Sequence, residues 1–197
     1  LNADLSENNA KTGIGADTNL CTQRDIRRVQ TTLRTFRQYT KNLSLSEPWL
    51  DVGAGVSYMR EQLRQIYKTN VFTYEIDLDW GKYPVADGYF KMITSFEVLE
   101  HLFNPLFHLT ELRRVLADDG NMFLTTPNDY GLIYKTEHLL SRKYRPHFHQ
   151  FCERDLRDIV NKAGLKIITL KKCFHSRSGT IARISKNDFF MHCNKIT

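Results

Sequence analysis

The sequence predicts an α/β fold built on a doubly wound, mostly parallel sheet with helices on both faces and an antiparallel last strand. Strand-like and helix-like segments alternate along the chain, which is the order that lays parallel strands side by side under crossover helices. A glycine-containing turn follows the first predicted strand and opens a helix, where such sheets bind ligands, outside the carboxyl ends of their strands. With 197 residues, 41% of them hydrophobic and 12% aromatic, the chain suits a single core.

Residues 1–20 are polar and aperiodic and are expected to form a flexible arm, leaving 21–197 as one domain. Thr22 and Asp25 have capping-box spacing, and Ile26, Val29, Leu33 and Phe36 then recur every three or four residues, so a helix is predicted with one apolar face. After Ser46-Glu47-Pro48, Trp49 to Val52 reads as a short buried strand, and Met59, Leu63 and Ile66 restart a helical period. Val71 to Ile76 and Lys91 to Phe96 are strand-like through their β-branched and aromatic content. Asn104-Pro105 opens a helix whose buried face is Leu106, Leu109, Leu112 and Val115, with Gly120 as its expected stop. A strand from Asn121 to Thr126 closes at Pro127. Leu156, Ile159, Val160 and Ala163 form a helix ended by Gly164, followed by strands at Leu165 to Leu170 and near Phe189 to Cys193.

Lys and Arg exceed Asp and Glu by 28 to 22, giving a net charge of +6. Seven of these cations precede Pro48, so the excess forms no continuous stripe of the kind a nucleic-acid surface needs. Four cysteines, Cys21, Cys152, Cys173 and Cys193, lack disulfide or zinc-site spacing, and reduced thiols in a cytoplasmic protein are expected. No run approaches the roughly 18 apolar residues of a membrane span. No membrane partner is therefore expected, and oligomeric state is not legible.

The chemistry concentrates in Leu50-Asp51-Val52-Gly53-Ala54-Gly55-Val56-Ser57. Glycines let the backbone turn sharply beside a ligand. A dinucleotide site would carry a third glycine where Tyr58 stands, and it would set a pyrophosphate near Asp51. Two negative charges about 4 Å apart repel by roughly 4 kcal/mol at an effective dielectric near 20. A ligand bearing an ammonium and a sulfonium suits the same place, because the carboxylate attracts it.

This segment resembles the first motif of class I S-adenosylmethionine-dependent methyltransferases. Val85-Ala86-Asp87-Gly88-Tyr89-Phe90, Phe96-Glu97-Val98-Leu99-Glu100-His101, Leu116-Ala117-Asp118-Asp119-Gly120 and Leu124-Thr125-Thr126-Pro127-Asn128 follow in the order of that superfamily's small stand-alone members. The resemblance implies a Rossmann-like sheet, S-adenosylmethionine as cofactor, and a methyl transfer reaction. It implies that Asp51, Gly53, Ala54 and Gly55 wrap the methionine portion of the cofactor and that Glu75, or Asp77 close by, holds the ribose hydroxyls. It further implies that Asp79 and Trp80 read and cover the adenine, and that Phe96 and Glu97 close over the sulfur. Only about 17 residues separate Glu75 from Met92, too few for the helix, strand and helix of the full fold. The fold is therefore expected to be shortened between its second and fourth strands.

On the acceptor side, a transfer to a hydroxyl needs a group that removes a proton, and His101 is the first candidate, with Glu100 beside it and His147 and His149 second. Tyr130, Tyr134, Tyr144 and Phe148 are candidates for lining a pocket or packing a lid. Glu97, Glu100 and His101 at i, i+3 and i+4, joined by His147 or His149, would make a divalent-metal set on a helix. That arrangement resembles small-RNA 3′-terminal 2′-O-methyltransferases. The favoured expectation is a metal-free enzyme acting on a small-molecule or sugar-like acceptor, with RNA less favoured. An inactive cofactor-binding scaffold is the alternative outside enzymes, from the shortened middle and Ser57.

Overall fold

The computed structural model describes residues 23–43, 45–53, 58–128, 147–175 and 186–196. The expected arm at 1–20, the cap at Thr22, Cys21, Ala54, Gly55 and the aromatic residues Tyr130, Tyr134 and Tyr144 lie outside them. Six strands form one sheet: β1 (Trp49–Val52), β2 (Val71–Phe72), β3 (Phe90–Phe96), β4 (Leu116–Pro127), β5 (Leu165–His175) and β6 (Lys186–Lys195). Their order is β2-β1-β3-β4-β6-β5. β1 pairs in parallel with β2 and β3, and β3 with β4, while β6 runs antiparallel to both β4 and β5. This is the mostly parallel, doubly wound sheet with an antiparallel last strand that the sequence predicts.

Among the described residues, four α-helices cover it: α1 (Gln23–Thr40), α2 (Tyr58–Tyr67), α3 (Pro105–Val115) and α4 (Glu153–Lys162). Side chains alternate across each strand, so one sheet makes two cores. Trp49, Met92, Phe123 and Phe190 face α1 and α2 through Leu33, Phe36 and Leu63. Leu50, Val52, Ile93, Leu124 and Met191 face α3 and α4 through Leu109, Leu112, Val115, Leu156 and Val160. Phe36 is fully buried, with its ring 4.8 Å from Phe123 and 5.8 Å from Trp49. Removing a ring so enclosed costs about 3–5 kcal/mol. Among the described residues, no helix is long and apolar enough to cross a membrane.

Several predicted ends shift. The strand expected over 71–76 stops at Phe72. β2 is the sheet's edge and pairs only with Trp49 and Leu50, so the ladder stops two residues short of the end of β1. Helix α2 meets the edge instead: Arg64 Nη2 donates to the Val71 carbonyl at 3.1 Å and Arg60 Nη1 to Thr73 Oγ1 at 3.0 Å. From there to β3 the chain has neither helix nor strand, which is the shortened middle. A clamp on α3 holds it. Arg114 Nη2 donates to Tyr83 O at 2.9 Å and Nη1 to Val85 O at 3.0 Å, while Glu111 Oε1 accepts from Tyr83 N at 2.8 Å.

Helix α3 starts as predicted, with Asn104 Oδ1 accepting from Phe107 N at 3.2 Å and Pro105 in the first turn. It ends at Val115 rather than near Gly120, because Gly88 N takes the Arg114 carbonyl at 2.8 Å and Leu116 already pairs with Phe90. The register then shifts between Phe90 and Met92. Gly120 lies in that irregularity, where a Cβ would sit 2.9 Å from Ala117 O. Gly164 does end α4, at φ +75°. β5 and β6 both outrun their predicted lengths, since each supplies the other with a partner along the hairpin-like pair from Leu165↔Lys195 to His175↔Lys186. Cys152, Cys173 and Cys193 are free thiols.

Candidate active site

The parallel strands β1, β3 and β4 end side by side, at Val52, Phe96 and Pro127. Asp51 is almost completely buried at the end of β1, opposite Thr94 of β3. Thr94 Oγ1 donates to Asp51 Oδ1 at 2.6 Å and accepts from the Trp49 indole Nε1 at 3.2 Å. The hydroxyl's single proton goes to the carboxylate at 2.6 Å rather than to the Leu50 carbonyl at 3.5 Å, while its oxygen accepts from the indole. Burial pushes the Asp51 carboxyl up to about 7, against the opposing pull of the Thr94 hydroxyl and the charge of Arg60. An acid held in this way gains most from a further cation.

Gly53 follows in an exposed turn at φ +68°. A Cβ there would collide with Val98 Cγ2. Glycine is therefore required twice, by its left-handed backbone and by the close approach of the segment leaving β3. The two strand ends touch at this point, which brings the β1 turn against residues 97–101.

Glu75 is exposed, past the end of β2. Asp77 is exposed too, and its Oδ1 accepts from Asp79 N at 2.9 Å within its own turn. Asp79 Oδ1 accepts from Asn104 N at 2.6 Å, tying that turn to the start of α3. Trp80 is 66% exposed, with its ring 6.3 Å from Phe107. Beneath this turn His108 is buried, 3.5 Å from Ser95 Oγ, and burial pushes its imidazole down to about 4. His108 is neutral at pH 7 and serves packing.

Phe96 packs half-buried against Phe36, with centroids 6.1 Å apart. Glu97 has φ +59° and donates its N–H to Thr125 O at 2.9 Å, so the chain bends sharply there. The helix that follows is one 3-10 turn, Leu99–His101. Glu97 lies before it. The shared helix face of Glu97, Glu100 and His101 is therefore not formed. Glu100 is 1% exposed, and its Oε2 accepts from Thr126 Oγ1 of β4 at 3.1 Å. His101 Nε2 lies 3.8 Å from Glu100 Oε1, with 43% of the histidine side chain exposed. Phe148 N and His149 N donate to the Glu100 carbonyl at 2.8 and 3.3 Å, and this clasp sets the His147 ring 5.0 Å from that of His101. His149 turns away, 3.4 Å from Phe103 O. Phe148 is exposed and packs on Phe103 at 4.1 Å.

Trp49, Thr94, Thr126 and Arg60 were not singled out from the sequence. Thr94 carried a signal: it shares a strand face with Met92, and a polar residue on a core-facing position needs a partner. Thr126 carried the same signal, since it shares a strand face with Met122 and Leu124, but nothing in the sequence names Glu100 as its partner.

The buried Asp51 carboxylate beside an exposed glycine turn fits a ligand with a cationic end, as S-adenosylmethionine has. Solved structures share the fold. A chain from the complex between the Haloferax volcanii Trm112 methyltransferase activator and a methyltransferase is 14% identical, with 86% of this chain and 91% of that one covered at a TM-score of 0.64. An S-adenosylmethionine-dependent methyltransferase of Thermotoga maritima is 18% identical over 87% and 92% of the two chains, at 0.60. The [4+2]-cyclase SpnF is 13% identical over 89% and 83%, at 0.62. No curated protein sequence matches. The family described as methyltransferase domain matches residues 23–170, well over half the chain. The chain belongs to that family and is an S-adenosylmethionine-dependent methyltransferase of class I.

Proposed function

We propose that the chain methylates a hydroxyl or amine of a small, sugar-like acceptor, with His101 as the base. The carrying observation is His101 itself: a part-exposed imidazole backed by a buried carboxylate, beside the point where the β1 turn meets the end of β3. When bound, S-adenosylmethionine supplies a methyl carbon activated by its sulfonium. The chain's own residues position and deprotonate. Asp51 receives the cationic amino-acid end and is turned toward it by Thr94. Glu75 accepts from the ribose hydroxyls, the more available of two neighbouring acids, since Asp77 Oδ1 is engaged within its own turn. Asp79 and Trp80 edge the adenine. Phe96 and Glu97 form the bend near the sulfur. Ala54 and Gly55 are assigned to the methionine portion on the strength of the sequence motif alone.

His101 takes the proton from the acceptor, and Glu100, held through its other oxygen by Thr126 and with Oε1 3.8 Å from Nε2, stabilises the imidazolium that results. A small acceptor is favoured over RNA because the net charge of +6 is spread rather than gathered in a stripe. The test is transfer of labelled methyl to panels of small hydroxyl and amine compounds and to RNA oligonucleotides. His101→Ala is expected to lower transfer by about 100- to 10,000-fold with cofactor affinity within a few-fold of the parent. Transfer unaffected by His101→Ala, or confined to RNA, overturns this reading.

A further inference from the structure

We propose that Glu100, His101 and His147 bind one divalent transition-metal ion. Each offers a ligand atom, and the three atoms lie within 4.8 Å of one another. Two imidazoles with one carboxylate suit zinc, cobalt, nickel or iron, and such ions hold nitrogen and oxygen ligands at about 2.0–2.2 Å. Ligands on a tetrahedral ion at those distances are about 3.3–3.6 Å apart, so a pair at the 4.8 Å limit needs to close by roughly 1.2–1.5 Å. His101 Nε2 and Glu100 Oε1, 3.8 Å apart, need to close by only about 0.2–0.5 Å.

The surroundings are those of a supported site. Glu100 is buried with its Oε2 fixed by Thr126 Oγ1, which leaves Oε1 turned to His101. A ligand carboxylate hydrogen-bonded through its second oxygen is the usual outer-shell arrangement. The backbone bonds from Phe148 and His149 to the Glu100 carbonyl fasten the segment carrying His147 to the 3-10 turn carrying His101. Neither Glu97 nor His149 belongs to the set. Three protein ligands leave a tetrahedral ion one open position.

The consequence for turnover rests on the reading of His101 as the base. A neutral imidazole has a single ring-plane lone pair, so a metal on His101 takes the pair that would accept the acceptor's proton; a filled site suppresses transfer, and removal of the ion restores it. The experiment is titration of the full chain with cobalt(II), following visible absorption, with methyl transfer measured on the same samples before and after chelator. One equivalent is expected to bind. His147→Ala is expected to weaken binding by at least about 100-fold, beyond the 10- to 100-fold typical of an outer-shell loss, and to make transfer insensitive to cobalt. Glu100→Gln, which keeps an acceptor for Thr126, is expected to weaken binding similarly, and melting curves establish that both variants fold. Absence of saturable binding, or equal binding by folded His147→Ala, overturns the site. One-to-one binding that raises transfer leaves the site standing and overturns His101 as the base.

Discussion

Replacing Asp51 by Asn is expected to stabilise the fold while destroying cofactor binding. Burial raises the folded-state pKa of Asp51 from 3.8 to about 7. Between those values the folded chain holds a proton that the unfolded chain has released, so stability falls as pH rises from about 4 to about 7 and is flat above. A tenfold change in an acid constant is worth about 1.4 kcal/mol, which sets a ceiling near 4 kcal/mol on the cost of the ionised carboxylate at pH 8. The exposed turn at Gly53 admits water to that end of the strand, and relaxation lowers the figure further. Asn keeps the Thr94 hydrogen bond and removes the charge. We expect a gain of about 1–3 kcal/mol at pH 8 and none at pH 4, or roughly 3–10 °C in Tm at pH 8 for a chain of this size. Thermal melts of both proteins from pH 4 to pH 9 give the difference curve, which should open through pH 4–7 and then level. Parallel curves would refute this reasoning, and so would a variant less stable at pH 8.

Thr94→Val removes a donor to a charged group, worth about 1.5–3 kcal/mol, and should move the pH dependence of cofactor affinity upward by about one to two pH units; titration calorimetry at several pH values reads this. Gly53→Ala meets both the positive φ and the Val98 side chain, and about 1–3 kcal/mol of stability should be lost. Part of that loss should return in a double variant with Val98→Ala, and chemical denaturation of the four proteins checks the coupling. Trp80→Ala, at an exposed site, should change stability by less than about 0.5 kcal/mol, so any fall in cofactor affinity measures direct contact. Asp79→Ala should instead cost about 1 kcal/mol of stability, because it leaves Asn104 N without its carboxylate acceptor, and melting curves distinguish the two.

The sheet's order of elements was legible because local signals agree with one another. Asn104-Pro105 caps α3, Gly164 ends α4, and the Leu109, Leu112 and Val115 spacing names the face that α3 buries. Failures occur where a distant partner decides. Val71 to Ile76 has full strand composition, yet only Val71 and Phe72 pair with β1, and Arg60 of α2 takes the Thr73 hydroxyl next along the chain. Helix α3 has nothing in its own sequence to end it at Val115, since the stop is Gly88 taking the Arg114 carbonyl from outside. The glycine turn and its acid were readable, because both are short-range features. The Trp49, Thr94 and Asp51 relay was not, as it spans two strands more than 40 residues apart. The sequence names His147 and His149 alike, and the choice of His147 beside His101 is made by the backbone bonds from Phe148 and His149 to Glu100. Glu97, Glu100 and His101 have helical spacing, but the positive φ at Glu97 breaks the geometry on which that spacing relies.

Everything proposed for the cofactor depends on its cationic end sitting at the end of β1, on the buried Asp51 carboxylate. Calorimetric titration of S-adenosylhomocysteine and S-adenosylmethionine into the parent chain and into folded Asp51→Asn tests this most directly. One-to-one binding by the parent is predicted, with affinity for both ligands lower by roughly 100-fold or more in the variant, as loss of a charge-assisted contact about 3 kcal/mol strong requires. Equal affinity in the two proteins, or no binding by the parent, would contradict it.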